Sequence, residues 1–243
     1  MTVNRTMAQA ARIPAPRSPA ARERVAARPA PSAPPTPPTP PTPPAPPVLD
    51  LRDRAAPGPD TLRFGPRDIV VLTGLPGSGK STLMRRAVTA RRVDSQDTRA
   101  RFAARLPRLL PYALYRPLVR AAHYRALRRA LRTGAALVVH DCGTQPWVRA
   151  WLARAARRSG ATLHLLLLDV PEKTARAGQR ERGRTVSRRA FGRHRRTTAR
   201  LLRAVGRGEV PAGCGSAVLL DRAAADAVQR IVFTEYGSVT GTR

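Results

Sequence analysis

The chain has 243 residues, with 45 Lys and Arg against 15 Asp and Glu, a net charge of +30 and 25 prolines. That length leaves room for one compact α/β domain of about 170 residues beside a proline-dense extension. Cys142 and Cys214, the only cysteines, are too few for a disulfide framework or a four-ligand zinc site, and no apolar run has the length of a signal peptide or a spanning helix. A soluble, cytoplasmic protein without membrane partners is the expectation.

Lys80 and Lys173 are the only lysines, so the basic charge is almost wholly arginine. Such a chain is drawn to polyanions, while a GC-rich coding sequence would also replace lysine by arginine; both readings stand.

Residues 1–66 hold 18 of the prolines, with the repeat-like core Pro34-Pro35-Thr36-Pro37-Pro38-Thr39-Pro40-Pro41. This stretch lacks the apolar content to offset chain entropy. Residues 1–49 are therefore expected to be a disordered extension of polyproline II character, either a spacer or a ligand for a protein partner. Residues 50–66, broken by Pro57-Gly58-Pro59, read as a linker, residues 67–235 as the folded domain and 236–243 as a C-terminal tail.

From Asp68 onward short apolar runs alternate with longer amphipathic stretches, the pattern of βαβ units and a doubly wound parallel sheet. Strands are expected at 68–73, 92–94, 135–141, 161–170 and 217–221. Helices are expected at 81–91, from 97 with breaks at Pro107 and Pro111, then at 118–131, 145–158, 172–182 and 188–205, and from 221 to 232 at the end of the domain.

The first strand runs straight into Gly74-Leu75-Pro76-Gly77-Ser78-Gly79-Lys80-Ser81, a full match to G-x-x-x-x-G-K-[ST] between a strand and a helix. The glycines let successive backbone N–H groups turn toward phosphate oxygens at the positive end of the helix. Lys80 reaches the β- and γ-phosphates, Ser81 is a magnesium ligand, and Thr82 completes the nucleotide-binding segment. ATP with Mg²⁺ is the expected cofactor pair.

Val93-Asp94-Ser95-Gln96-Asp97-Thr98-Arg99 then places acids at the carboxyl end of a strand, where ligands of open α/β sheets bind. A carboxylate here can accept the proton of an attacking hydroxyl, with Asp97 the first choice and Asp94 the second, and Arg99 can hold an anionic acceptor. Asp141 ends a buried strand, a position suited to a carboxylate that positions magnesium, while strand alternation turns His140 to the opposite face. Arg116/Arg120, Arg125/Arg129 and Arg128/Arg132 fall at i,i+4 spacing with Tyr112, Tyr115 and Tyr124 interleaved. That is either an exposed basic face or a surface for nucleic acid.

On the loop at 74–81, the 94–99 segment and the basic run Arg180-Glu181-Arg182-Gly183-Arg184, the chain resembles the P-loop kinase group that includes polynucleotide 5′-hydroxyl kinases, zeta-toxin-like kinases and related small AAA-type ATP-binding proteins. The resemblance covers about residues 68–235. It implies a three-layer αβα fold, transfer of the γ-phosphoryl of ATP to a hydroxyl acceptor, and a lid in which Arg182 closes over the phosphates. It departs from the polynucleotide kinase pattern at Gln96, which stands where that pattern has its aspartate base. The acceptor stays open between an RNA or DNA 5′ end and a small molecule such as a sugar nucleotide, and a slow ATP-dependent switch with a protein partner is the alternative from another class.

Overall fold

The computed structural model describes residues 47–55, 58–107, 109–140, 145–181, 183 and 187–235, all within one compact unit of the chain. In chain order the strands are β1 (Val48–Asp50), β2 (Thr61–Phe64), β3 (Ile69–Gly74), β4 (Arg91–Val93), β5 (Leu137–His140), β6 (Leu163–Leu168), β7 (Ser216–Leu220) and β8 (Arg230–Phe233). The helices are α1 (Lys80–Ala87), α2 (Ser95–Arg105), α3 (Tyr112–Arg132), α4 (Pro146–Arg158), α5 (Glu172–Glu181), α6 (Arg188–Gly206) and α7 (Arg222–Ala227). Six strands form one parallel sheet in the order β1-β7-β6-β3-β5-β4, and β2 pairs with β8 in a second, two-stranded parallel sheet.

The central strands are apolar at consecutive positions because helices cover both faces of the sheet. Side chains alternate strictly. Ile69, Val71, Val139, Leu165 and Leu167 pack with Val148, Leu152 and Ala156 of α4 and Leu201 and Val205 of α6. Their neighbours Val70, Leu72, Val138, Leu166 and Leu168 pack with Leu83 and Met84 of α1 and Ala224 and Ala225 of α7. Each such valine, leucine, isoleucine or methionine contributes about 1.5–3 kcal/mol by leaving water. The result is the three-layer αβα P-loop architecture expected from the alternation of strands and helices. Among the described residues no helix is long and apolar enough to cross a membrane.

Several stretches differ from the sequence expectation, among them α3, which begins at Tyr112 rather than 118 and carries Pro117 within it, and β1, whose Val48 and Leu49 fall in the stretch expected to be disordered. The segment 50–66, read as a linker, contributes the end of β1 and the whole of β2, because Leu62 and Phe64 alternate into the core and are fully buried. The terminal helix expected to residue 232 stops at Ala227, since Ile231 is needed in the same core and Val228 is already extended. The helix after the glycine loop ends at Ala87 rather than continuing to 91, because Val88 forms a parallel bridge to Ile231. The proline-rich residues 1–46 and the tail 236–243 lie outside the described residues.

At the amino ends of β3, β6 and β7 a buried polar chain replaces apolar packing. Asp68 Oδ2 lies 2.9 Å from His164 Nε2, and His164 Nδ1 lies 2.7 Å from Ser216 Oγ. Asp68 also accepts from the backbone N–H groups of Gly65 and Thr162. The tautomer with the proton on Nε2 satisfies every member: His164 donates to Asp68 and accepts from the Ser216 hydroxyl. The chain of bonds fixes the start of β3 against β6 and, through the Phe64 ring 4.9 Å from His164, against the second sheet.

Burial pushes the Asp68 carboxyl up, but the bonds from His164, Thr162 and Gly65 outweigh it and hold it below the usual carboxylate range. Asp68→Asn is expected to lower the unfolding free energy by about 2–4 kcal/mol near pH 7, measured by urea denaturation. Because the folded-state value lies below the unfolded one, near 3.9, the ionic contribution is complete above about pH 4 and is lost as pH falls through the folded value. The gap between wild type and variant should therefore narrow in acid; a gap that stays constant would refute the assignment.

Candidate functional site

β3 ends at Gly74, and the chain turns through the glycine loop into α1. Gly79 caps that helix at φ 93° without a side-chain bond, and the first turn carries no acid, so the helix offers its N-terminal donors to an anion. The Lys80 ammonium is almost fully buried and donates to the Gly74 and Leu75 carbonyls, at 3.0 and 2.7 Å, and to Ser78 Oγ. It is thereby held across the mouth of its own loop. Thr82 is exposed one turn into the helix. At the end of β3 the Thr73 hydroxyl is buried without a hydrogen-bond partner among the described residues, a polar atom left over at the floor of the site.

The loop is clamped by α5. Leu75 joins a small cluster with Ala175 and Phe191, and Gln179 Nε2 donates to the Pro76 carbonyl at 3.0 Å. Gly77, at φ 87°, lies directly on the helix: a Cβ there would collide with the Ala175 carbonyl oxygen, and a Cβ on Gly178 would stand 2.7 Å from the Gly77 carbonyl oxygen. The contact is backbone against backbone, which only glycine permits.

The strand register sets the second half of the site. Val93 is paired with Val139, so Asp94 and His140 emerge side by side at the ends of β4 and β5. Asp94 is buried, caps α2 through the Gln96 N–H at 2.8 Å, meets His140 Nδ1 at 2.5 Å and accepts from the Ser81 side chain. Burial pushes its carboxyl up, but the bonds from His140, Gln96 and Ser81 prevail and hold it below the usual carboxylate range. Asp97, the first choice for the base, is exposed in the first turn of α2. His140 is buried as the partner of Asp94. Asp141 and Arg182 lie outside the described residues.

Beside Asp94 opens a cavity of about 210 Å³. One stripe of α3, Tyr112, Arg116, Arg120 and Tyr124, lines it, facing Gln96 and Arg99 of α2, with His140 and His194 completing the wall. The Arg99 guanidinium stacks over the Tyr112 ring at 4.0 Å, which orients it toward this space. On the other side of the loop a smaller cleft of about 40 Å³ is lined by Gly79, Thr82, Arg86, Leu168, Arg222 and Asp226.

The donor set fits a phosphate-bound magnesium ion rather than a protein-caged metal. Ser81 supplies a hydroxyl oxygen at the start of α1, and among the described residues no group of three His, Cys, Asp or Glu side chains could hold a metal by itself. Of the residues singled out from the sequence, the structure places the glycine loop, Asp94 and Arg99 at this end of the sheet. Sequence reasoning did not single out the Asp94–His140 pair, the clamp at Gly178 and Gln179, or Arg222 in the cleft beside Gly79. The adjacent strand endings Val93-Asp94 and Val139-His140 would have revealed the first had the strand order been known.

Residues 69–205, more than half of the chain, match the family model of an AAA domain. No curated protein matches the chain in sequence. Among solved structures, the chain is similar to one from the PezAT chromosomal toxin-antitoxin system of Streptococcus pneumoniae, at 15% identity and TM-score 0.45, over 68% of this chain and 77% of that one. It is also similar to one from the Pnkp1/Rnl/Hen1 RNA repair complex, at 17% identity and TM-score 0.43, over 56% of this chain and 45% of the other. A gluconokinase from Sinorhizobium meliloti aligns at 16% identity and TM-score 0.40, over 67% of this chain and 92% of that one.

The clamp between loop and helix can be tested directly. Gly77→Ala combines a left-handed backbone with a collision against Ala175, and is expected to cost about 1–3 kcal/mol of stability and to weaken binding of a fluorescent ATP analogue at least about tenfold. Unchanged nucleotide affinity in the variant would show that the loop does not need this contact.

Proposed function

The chain belongs to the AAA domain family, and we propose that it is an ATP-dependent phosphotransferase, a kinase that moves the γ-phosphoryl group of ATP to a hydroxyl acceptor with Mg²⁺. One observation carries this reading: a second cavity is lined by His140, the hydrogen-bond partner of the carboxylate that contacts the P-loop serine. A switch needs only the nucleotide loop, whereas a kinase needs a place for a second substrate within reach of the γ-phosphate.

The roles follow from position. Backbone N–H groups of Gly77, Gly79 and the start of α1 cradle the phosphates, and Lys80 exchanges its loop carbonyls for β- and γ-phosphate oxygens. Ser81, with Asp141, supplies the oxygen ligands of the metal ion, which when bound draws charge from the β- and γ-phosphates. The base is assigned to Asp94 in preference to Asp97, because Asp94 is the buried carboxylate that meets both Ser81 and the cavity wall, and its lowered pKa keeps it ionised at neutral pH.

In the transfer step the acceptor oxygen bonds to the γ-phosphorus as its proton passes to the Asp94 carboxylate. The bond from that phosphorus to the β,γ-bridging oxygen breaks, and its electron pair leaves on ADP. Arg182 is assigned the charge spread over the equatorial oxygens, where a planar guanidinium is most effective.

Incubation with γ-labelled ATP and a panel of 5′-hydroxyl oligonucleotides, nucleosides and sugars should give a labelled acceptor; free phosphate alone would favour the switch. Asp94→Asn should lower kcat by about 10²–10⁴-fold, the range of general base catalysis, with Asp97→Asn within about threefold of wild type. The reverse ranking would return the role to Asp97. Arg182→Ala should lower kcat by about 10³-fold with little change in ATP affinity.

A further inference from the structure

We propose that the outer side of α3 and the turn before it form a docking face for an anionic lipid surface. Leu109, Leu114 and Leu118 enter the headgroup layer, and Arg125, Arg128, Arg129 and Arg132 lie on lipid phosphates. The face is separate from the α2–α3 cavity and does not depend on the reaction the chain performs. It revises the expectation of a chain without membrane partners, which rested on the lack of a spanning segment; a helix lying on a bilayer needs none.

Four large apolar side chains are strongly exposed among the described residues, and three of them are these leucines, at 95%, 67% and 59% of full exposure. Leu109 stands on the turn in which the Leu110 N–H donates to the Pro107 carbonyl at 3.0 Å, directly before α3. Leu114 and Leu118 follow one helical turn apart. They are not a displaced piece of core, because α3 packs inward through Tyr115, Val119, His123, Leu127 and Ala130. At about 100° per residue the leucines fall on the opposite side of the helix, and their stripe continues through Ala121 to Arg125, Arg128, Arg129 and Arg132, all exposed. The cavity is lined from a different stripe, Tyr112, Arg116, Arg120 and Tyr124.

The charge around the leucines has one sign. From Thr98 to His140 the chain holds ten arginines and no Asp or Glu. The neighbouring helix α4 has no acid either: its Trp147 and Trp151 rings lie 5.3 and 6.3 Å from Tyr124 of α3, and its Arg154, Arg157 and Arg158 are exposed. Two adjacent helices therefore present an uninterrupted positive field.

Leucine and arginine together select the occupant. A second copy of the chain would bring arginine against arginine. A nucleic-acid strand would satisfy the arginines, but leucine has no flat ring on which a base could stack. A bilayer accommodates both, with leucine below the headgroups and the guanidinium, on its long apolar stem, at the level of the phosphates. The leucines occupy the first two turns of α3 and the arginines its last turns, so the amino end of the helix lies deeper.

The full chain would be mixed with vesicles of phosphatidylcholine, alone or with about one third phosphatidylglycerol, and bound protein measured by sedimentation. Binding to the anionic vesicles alone is expected, weakening at least about tenfold as salt rises from about 0.1 to 0.5 M. Leu109→Ser with Leu114→Ser and Leu118→Ser should weaken it about tenfold or more, and Arg125→Gln with Arg129→Gln about tenfold. Arg196→Gln with Arg200→Gln removes the same charge from exposed positions on α6 and should stay within about threefold of wild type. Leu109→Trp should bind at least as well as wild type, and acyl-chain bromine should quench its emission more than that of wild type. Unchanged thermal melting of each variant separates loss of binding from loss of fold.

No binding to anionic vesicles, full binding by the leucine variant, or an equal loss from the α6 pair would overturn the inference. Oligonucleotide binding that is lost in the Arg125 and Arg129 variant, with vesicles left unbound, would give the face to nucleic acid and overturn it as well.

Discussion

The register of β4 on β5, and of β5 on β3, decides where chemistry can happen in this molecule. Pairing Val93 with Val139 and Leu72 with His140 brings three strand ends level, so that Asp94, His140 and the glycine loop meet at one edge of the sheet. A slip of one residue would turn His140 to the other face and Asp94 away from Ser81. The register is held by side chains that never touch the site. Ile69, Val71, Val93, Leu137 and Val139 are buried on one face, Val70, Leu72 and Val138 on the other, and the Asp68–His164–Ser216 chain locks the opposite end.

This division explains what the sequence disclosed and what it withheld. The loop at 74–81 was legible because its geometry is local: a strand, a fixed glycine spacing and a helix suffice. The longer strands and helices were legible from their apolar period. The short pieces β1, β2 and β8 were not, since each holds only two or three core side chains and draws its stability from a partner more than 150 residues away. Sequence placed Asp97 ahead of Asp94 as the base without sight of the neighbouring strand. Both sit at a helix start, and only the neighbouring strand shows that one of them is buried against Ser81 and His140 while the other faces solvent.

The strong positive charge reads differently once acids are placed. Much of the arginine lies on exposed helix faces, where composition alone accounts for it. What composition does not account for is the distribution of carboxylates, which neutralise arginines beside α1, α5 and β1, while among the described residues none lines the α2–α3 cavity. Electrostatic meaning in this chain resides in where acid is missing more than in how much base is present.

The clamp of α5 on the glycine loop also has a mechanical side. With Gly77 and Gly178 in backbone contact and Gln179 tied to Pro76, loop and helix share no compressible side chain between them, so they move as one part. A displacement of α5 by a fraction of an ångström is transmitted whole to the phosphate cradle. The two glycines act as a matched pair of bearing surfaces: a side chain admitted at either position would have to be accommodated by retracting the helix, and Leu75 would then leave its seat between Ala175 and Phe191.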